Sequence, residues 1–209
     1  MVTDALVMLK TLLPILLLSF MAPTAALAQK TFSDPTWGFS IRAPNGWQAI
    51  HKSDVEENLA KTELPETSRQ RILADKNLVF VVGYQRSEST QSGRLIPAIQ
   101  VGVVRKGPST FTSFKEQIQN SEALFSQTLS DFKVVEFAEV EVSGLRAVGA
   151  TFTFTVTRAS GLSLRARTHA YFVPLRDYYF QIFFNDGPDP DADCSSEFDM
   201  LLKTISIKS

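Results

Sequence analysis

The chain has 209 residues, a formal charge of −1, 44% apolar residues, 16 phenylalanines and a single cysteine. Near-neutral charge excludes the basic excess that marks a nucleic-acid-binding domain, and the apolar content excludes a disordered chain. The lone Cys194 has no intramolecular partner, so the fold must rest on its core; Cys194 reads as a small buried apolar residue on a helix rather than a reactive or metal-binding thiol.

In chain order, residues 1–28 read as an export signal. Lys10 precedes an apolar run from Leu12 to Ala26, and Ala26-Leu27-Ala28 supplies a small-x-small site with cleavage before Gln29. A start at Met8 gives a cleaner signal, because Asp4 then falls outside it. Thr11 to Ala28 is just long enough to span a bilayer as a retained anchor, but Pro14 and the Ala-x-Ala end favour cleavage. No cysteine follows the run to carry a lipid. The expectation is one domain, residues 29–209, exported to a periplasm or the medium, with no transmembrane segment once the signal is removed.

Thr36 to Ala43 alternates Trp37, Phe39 and Ile41 with polar positions and predicts a strand. Pro44-Asn45-Gly46 is a turn, and Trp47 to Ile50 begins a second strand. Ser53 with Glu56 has capping-box spacing and predicts a helix from near Asp54; Pro65 interrupts it, and Glu66 to Ala74 resumes a helical turn or two. Leu78 to Tyr84 and Leu95 to Val104 read as strands separated by a polar loop, Arg86 to Arg94. Gly107-Pro108-Ser109 ends the second of these. Ser113 with Glu116 predicts a second capped helix, running to about Leu129 with Ile118, Leu124 and Phe125 inward.

The second half predicts a β-meander with strands Phe132 to Val142, Leu145 to Thr157, Leu162 to Val173 and Tyr178 to Phe184. Its turns are Ser143-Gly144, Ala159-Ser160-Gly161 and Leu175-Arg176-Asp177. A helix from Ser195 to Lys203, with Phe198, Leu201 and Leu202 inward, and a short strand from Thr204 to Ile207 close the chain. The fold class expected from this order is α+β, an antiparallel sheet with helices packed on its faces.

Two segments carry a resemblance. Trp37-Gly38-Phe39-Ser40-Ile41-Arg42-Ala43-Pro44-Asn45-Gly46-Trp47 resembles the opening segment of the PsbP-like fold family, and Phe198-Asp199-Met200-Leu201-Leu202-Lys203-Thr204-Ile205-Ser206-Ile207 resembles its close. The Gly144-Leu145-Arg146-Ala147 turn before a long meander also fits. The resemblance spans about Thr31 to Ile207. It implies an α/β/α sandwich and, because members mostly act by binding larger partners, a binding role; it carries no catalytic residue to transfer.

No Gly-x-Ser-x-Gly elbow, His-Glu-x-x-His pair or phosphate loop occurs. Beyond residue 28 the histidines are His51 and His169, so a hydrolase built on either with a distant Ser and Asp is the remote alternative. No catalytic residue and no cofactor is assigned. Asn185 to Asp193 carries four carboxylates that could hold a hard cation. Aligned on an EF-hand loop from Asp189, however, it puts Cys194 where Gly is required and Met200 where the bidentate Glu belongs. A solvated loop whose acids favour the N-terminus of the next helix is the simpler reading, and no metal site is assigned.

The ligand-site candidate comes from strand alternation. Ser163, Arg165, Arg167, His169 and Tyr171 share one side of their strand, opposite Leu162, Leu164, Ala166, Ala170 and Phe172. A three-residue turn at 159–161 puts Thr151, Thr153 and Thr155 beside them, and the next strand is expected to add Tyr179 and Gln181. Arg165, Arg167, His169, Tyr171 and Gln181 would then suit a carboxylate or phosphate group. The competing reading is an ordinary wetted sheet face. The sequence therefore predicts an exported, non-enzymatic domain that binds a protein or envelope component, with a small-anion or metal-ion carrier as the alternative.

Overall fold

The computed structural model describes residues 30–60, 77–87, 95–105, 110–158, 160–190 and 192–208. The export signal, the helical turns at 66–74, the break at 107–109 and most of the 86–94 loop lie outside them. The side chain of Leu124, expected to face inward, also lies outside the description.

The chain is α+β. Four short elements come first: β1 (Thr31–Asp34), β2 (Phe39–Arg42), β3 (Trp47–Ile50) and helix α1 (Lys52–Ala60). Then follow β4 (Leu78–Arg86), β5 (Ala98–Val104), α2 (Phe111–Asn120) and α3 (Glu122–Thr128). The meander is β6 (Ser130–Val142), β7 (Leu145–Thr157), β8 (Ser163–Pro174) and β9 (Tyr179–Asp186), closed by α4 (Ser195–Leu202) and β10 (Ser206–Ile207). Seven strands form an antiparallel sheet in the order β3-β4-β5-β9-β8-β7-β6, and three form a small one in the order β1-β2-β10.

Both faces of the large sheet are covered. On one, α2 and α3 bury Phe114, Ile118 and Phe125 against Phe152, Phe154, Ala170, Phe172 and Phe183, while Val55 of α1 packs with Ile50 and Ala98. On the other, the small sheet and α4 bury Phe39, Ile41, Ile207, Phe198 and Leu201 against Ile99, Val101, Val103, Phe180, Ile182 and Phe184. The central strands β5 and β9 are consequently buried at every residue, which is why β5 reads as an apolar run rather than an alternating pattern.

Four local expectations are corrected. Helix α1 starts at Lys52, so Ser53 lies inside its first turn, and Asp54 Oδ2 accepts the His51 N–H at 2.6 Å. Helix α2 is capped by Thr110, whose Oγ1 accepts the Ser113 N–H at 3.1 Å while Ser113 Oγ accepts the Thr110 N–H at 3.3 Å. Ser113 is the reciprocal half of the box, three residues later than the spacing assigns it, because a serine hydroxyl can play either part. The expected single helix to Leu129 is two helices broken at Ser121, whose hydroxyl bonds back to the Gln117 and Ile118 carbonyls. The strand expected from Thr36 starts only at Phe39, since Asp34 Oδ1 accepts the Thr36 N–H and holds a turn there.

Candidate functional site

Strand β8 carries the candidate residues, and the β7–β8 register decides their neighbours. Arg165 lies opposite Thr155, Arg167 opposite Thr153 and His169 opposite Thr151, as the three-residue turn requires. The β8–β9 register differs from the expected one. Pro174 pairs with Tyr179, so four residues, 175–178, make the turn rather than three. One added turn residue reverses the parity of the pairing and flips the following strand over. Phe180, Ile182, Phe184 and Asp186 therefore join the Arg167–His169–Tyr171 side. Gln181 and Tyr179 go to the helix-covered face, where Gln181 sits opposite Phe172 with its Nε2 donating to Tyr179 Oη at 3.3 Å. Gln181 is fully buried there and is not part of the constellation.

Arg167 is engaged on three sides. Its Nε donates to Asp186 Oδ1 at 2.9 Å, and its Nη2 donates to Asp186 Oδ2 at 2.7 Å and to Asp193 Oδ1 at 2.6 Å. The Asp186 side chain is completely buried, and its Oδ2 also accepts the Cys194 N–H at 2.8 Å. Asp193 Oδ1 accepts the Ser195 N–H at 2.8 Å. That bond first, with the Ser195 hydroxyl and Arg167, pulls the Asp193 carboxyl down to about 2, and the Asp186 hydrogen bond above all pushes the Arg167 guanidinium up. The arrangement clasps β8, β9 and the start of α4 together. Two of the four acids of the 186–193 loop are spent on it, and among the described residues no cluster of metal-ligating side chains occurs.

His169 is half-buried. Its Nδ1 lies 3.3 Å from Thr151 Oγ1 and its Nε2 3.5 Å from Ser195 Oγ, with the Phe198 ring edge-on at 6.1 Å. Burial lowers its pKa, opposed by the charge of Asp186, so the ring is held neutral. Among the described residues no carboxylate hydrogen-bonds to it. Tyr171 packs edge-on against Phe184 at 5.9 Å, and burial raises its phenol. Arg165 is exposed. Cys194 is buried, accepts from Arg86 Nη1 at 3.4 Å, and has its thiol pushed up to about 11 by desolvation, so it stays protonated.

The structure thus brings Arg167, His169 and Tyr171 together, leaves Arg165 in solvent and removes Gln181. It adds Ser195, Asp186 and Asp193, which the strand pattern alone did not connect to β8. The acidic loop before the last helix was legible in the sequence, but its pairing with Arg167 is set by the β8–β9 register, which the strand pattern alone did not give.

No protein-family model and no curated protein matches the sequence. Solved structures do match the fold. Cyanobacterial PsbP from Synechocystis sp. PCC 6803 aligns at 14% identity over 90% of this chain and 98% of its own, with a TM-score of 0.51. A Bacteroides thetaiotaomicron protein aligns at 10% identity over 88% of this chain and 50% of its own, with a TM-score of 0.50. The Saccharomyces cerevisiae Ran-binding protein Mog1p aligns at 11% identity over 88% and 96%, with a TM-score of 0.46. A seven-stranded antiparallel sheet covered on one face by helices, and on the other by a small sheet joining the two ends of the domain, gives this chain a PsbP-like fold.

Proposed function

We propose that the chain is an exported, non-enzymatic binding domain whose partner is a protein or a component of the cell envelope. The observation that carries this reading is the self-satisfied Arg167–Asp186–Asp193 cluster. The strongest charges of the polar face are neutralised within the fold, and the neighbouring imidazole is packed against two hydroxyls and a phenyl ring. Such a face holds a surface in shape; it does not present a poised acid, base or electrophile. Export is supported by the charge, apolar run and small-x-small pattern of residues 1–28.

The test is capture of partners on the tagged mature chain from native envelope fractions, with an Arg165→Ala/Met200→Ala surface variant in parallel. One partner recovered reproducibly, and released or weakened by surface changes alone, is expected; repeated recovery of none would end the reading. Fusion of residues 1–28 to a reporter active only outside the cytoplasm tests the export half separately.

The 3.5 Å approach of Ser195 Oγ to His169 Nε2 favours one second reading, a hydrolase using Ser195. Labelling of Ser195 by a fluorophosphonate, lost in His169→Gln, would establish it; an unlabelled Ser195 removes it. In the small-anion alternative Arg167 is already held by two carboxylates and Gln181 faces the other way, so the bidentate recognition that motivated it is lost; among the described residues the exposed cations of this face include Arg165 and Lys133, the latter opposite Thr153.

A further inference from the structure

A pocket of about 130 Å³ opens on the other side of the sheet, between α2–α3 and strands β6 to β8. Its floor and walls are apolar. Phe125, Phe132 and Phe152 form a triangle of rings, with centroids 5.4 Å apart (Phe125–Phe132), 6.2 Å (Phe125–Phe152) and 5.6 Å (Phe132–Phe152). Ala150 lines it with only a methyl group, while Gln119 and Glu122 are its polar side chains and both are exposed, at the mouth. An apolar interior with a few polar groups at the entrance is the build of a small-molecule site. The volume approaches the roughly 150 Å³ of an engineered apolar cavity that takes up benzene.

The lining narrows the chemistry further. A ring entering the pocket can stack or meet edges at the 4.5–7 Å spacing that aromatic groups favour, which a saturated ring of equal size does not exploit. At the mouth, the Glu122 carboxylate favours a cation. It opens α3, a seven-residue helix whose positive end would favour an anion. A full carboxylate charge outweighs the half charge of a helix end. We propose that this pocket binds a small monocyclic aromatic amine, its ring packed against the Phe125, Phe132 and Phe152 cluster and its ammonium at Glu122. The site is independent of the partner proposed above.

Titration of the protein with benzylamine, benzyl alcohol, cyclohexylamine and benzoate, followed by NMR shifts of the aromatic rings and of the Ala150 methyl, tests it. Saturable shifts at Phe125, Phe132 and Ala150 are expected. Benzylamine should bind more tightly than cyclohexylamine, and about tenfold more tightly than benzoate after solvent screening of the Glu122 charge. Glu122→Gln, an exposed change that leaves the core intact, should bring benzylamine and benzoate within about twofold of each other. Ala150→Leu fills the pocket and should abolish binding of every probe while the protein stays folded. Absence of saturation at those residues overturns the site, as does binding that survives in a folded Ala150→Leu variant. An amine-to-benzoate ratio unmoved by Glu122→Gln overturns the assignment to an amine, and that readout does not depend on how the Ala150 variant folds.

Discussion

Arg167 ties three segments with one guanidinium, and its worth lies in what it leaves behind when removed. Asp186 is completely buried, so Arg167→Ala strands a carboxylate with only the Cys194 N–H for company. The expected loss is about 3–5 kcal/mol in urea unfolding, the range for breaking one side of a buried pair. Arg167→Lys should recover only part of it, because a lysine cannot make the two-pronged contact to Asp186 Oδ1 and Oδ2. Were Arg167 instead a ligand residue, its removal would leave stability untouched. Asp193 gives the acid-side counterpart. Its folded pKa is depressed to about 2 from an ordinary 3.8, so its contribution is complete above about pH 4 and is lost as pH falls through about 2. Asp193→Asn should flatten that part of the urea-midpoint profile. The effect is small, because the side chain is 42% exposed and solvent screens it.

Among the elements, the hairpins show what local sequence can and cannot fix. Ser143 and Gly144 both adopt positive φ, 55° and 76°, the pairing of a two-residue type I′ turn, so β6 and β7 meet in the register their Ser-Gly junction predicts. Gly144→Ala should cost about 1 kcal/mol, read as a lower thermal midpoint, with the sheet intact. The β8–β9 loop has no such fixed grammar. Leu175, Arg176 and Asp177 look like a three-residue turn, but Leu175 N donates to the Tyr178 carbonyl oxygen and Tyr178 is drawn into the loop. Its ring meets Trp37 at 5.1 Å and Phe180 at 5.7 Å. That tertiary contact, between residues far apart in sequence, sets the parity of β9 and sends Gln181 to the other face. Helix starts follow the same lesson at smaller cost. Thr110 and Ser113 are both competent caps, and only the packing of Phe114 into the core selects Thr110; Thr110→Ala should cost about 1 kcal/mol, and Ser113→Ala less, because it removes only the return bond.

At the scale of the whole molecule, the strands other than β1, their order and the apolar faces of β7 and β8 were legible, because alternation reports a sheet face directly. The layer over the second face was not. It is assembled from β1 and β2 near one end of the described chain and β10 at the other, and β10 is two residues long. No local period reveals such a pairing. The segments that resemble the PsbP-like family lie at these ends, which explains why short, chemically silent motifs carried most of the fold information. Gly83 shows how closely neighbouring strands of the large sheet pack: a Cβ there would fall 2.6 Å from Cγ1 of its cross-strand partner Ile50, so even an alanine displaces the β3–β4 contact.

The dependence of that layer on its last strand can be measured. Ile207 is 6% exposed, pairs with Phe39, and its N–H donates to Ser143 Oγ at 2.9 Å, while the N–H of Lys208 donates to the Gly38 carbonyl at 2.9 Å. Ile207 therefore joins the small sheet, the β6–β7 turn and the core beneath them. Ile207→Ala removes buried methylene groups and leaves a cavity over Phe39, and the expected loss is about 2–4 kcal/mol in urea unfolding. Met200, 62% exposed on the outer side of α4, supplies the internal control: Met200→Ala should stay within about 0.5 kcal/mol. If the small sheet were a loosely docked flap, Ile207→Ala would instead cost little and raise hydrogen exchange only in β1, β2 and β10. An integral layer predicts a larger loss together with faster exchange in β5 and β9, because their second face depends on it.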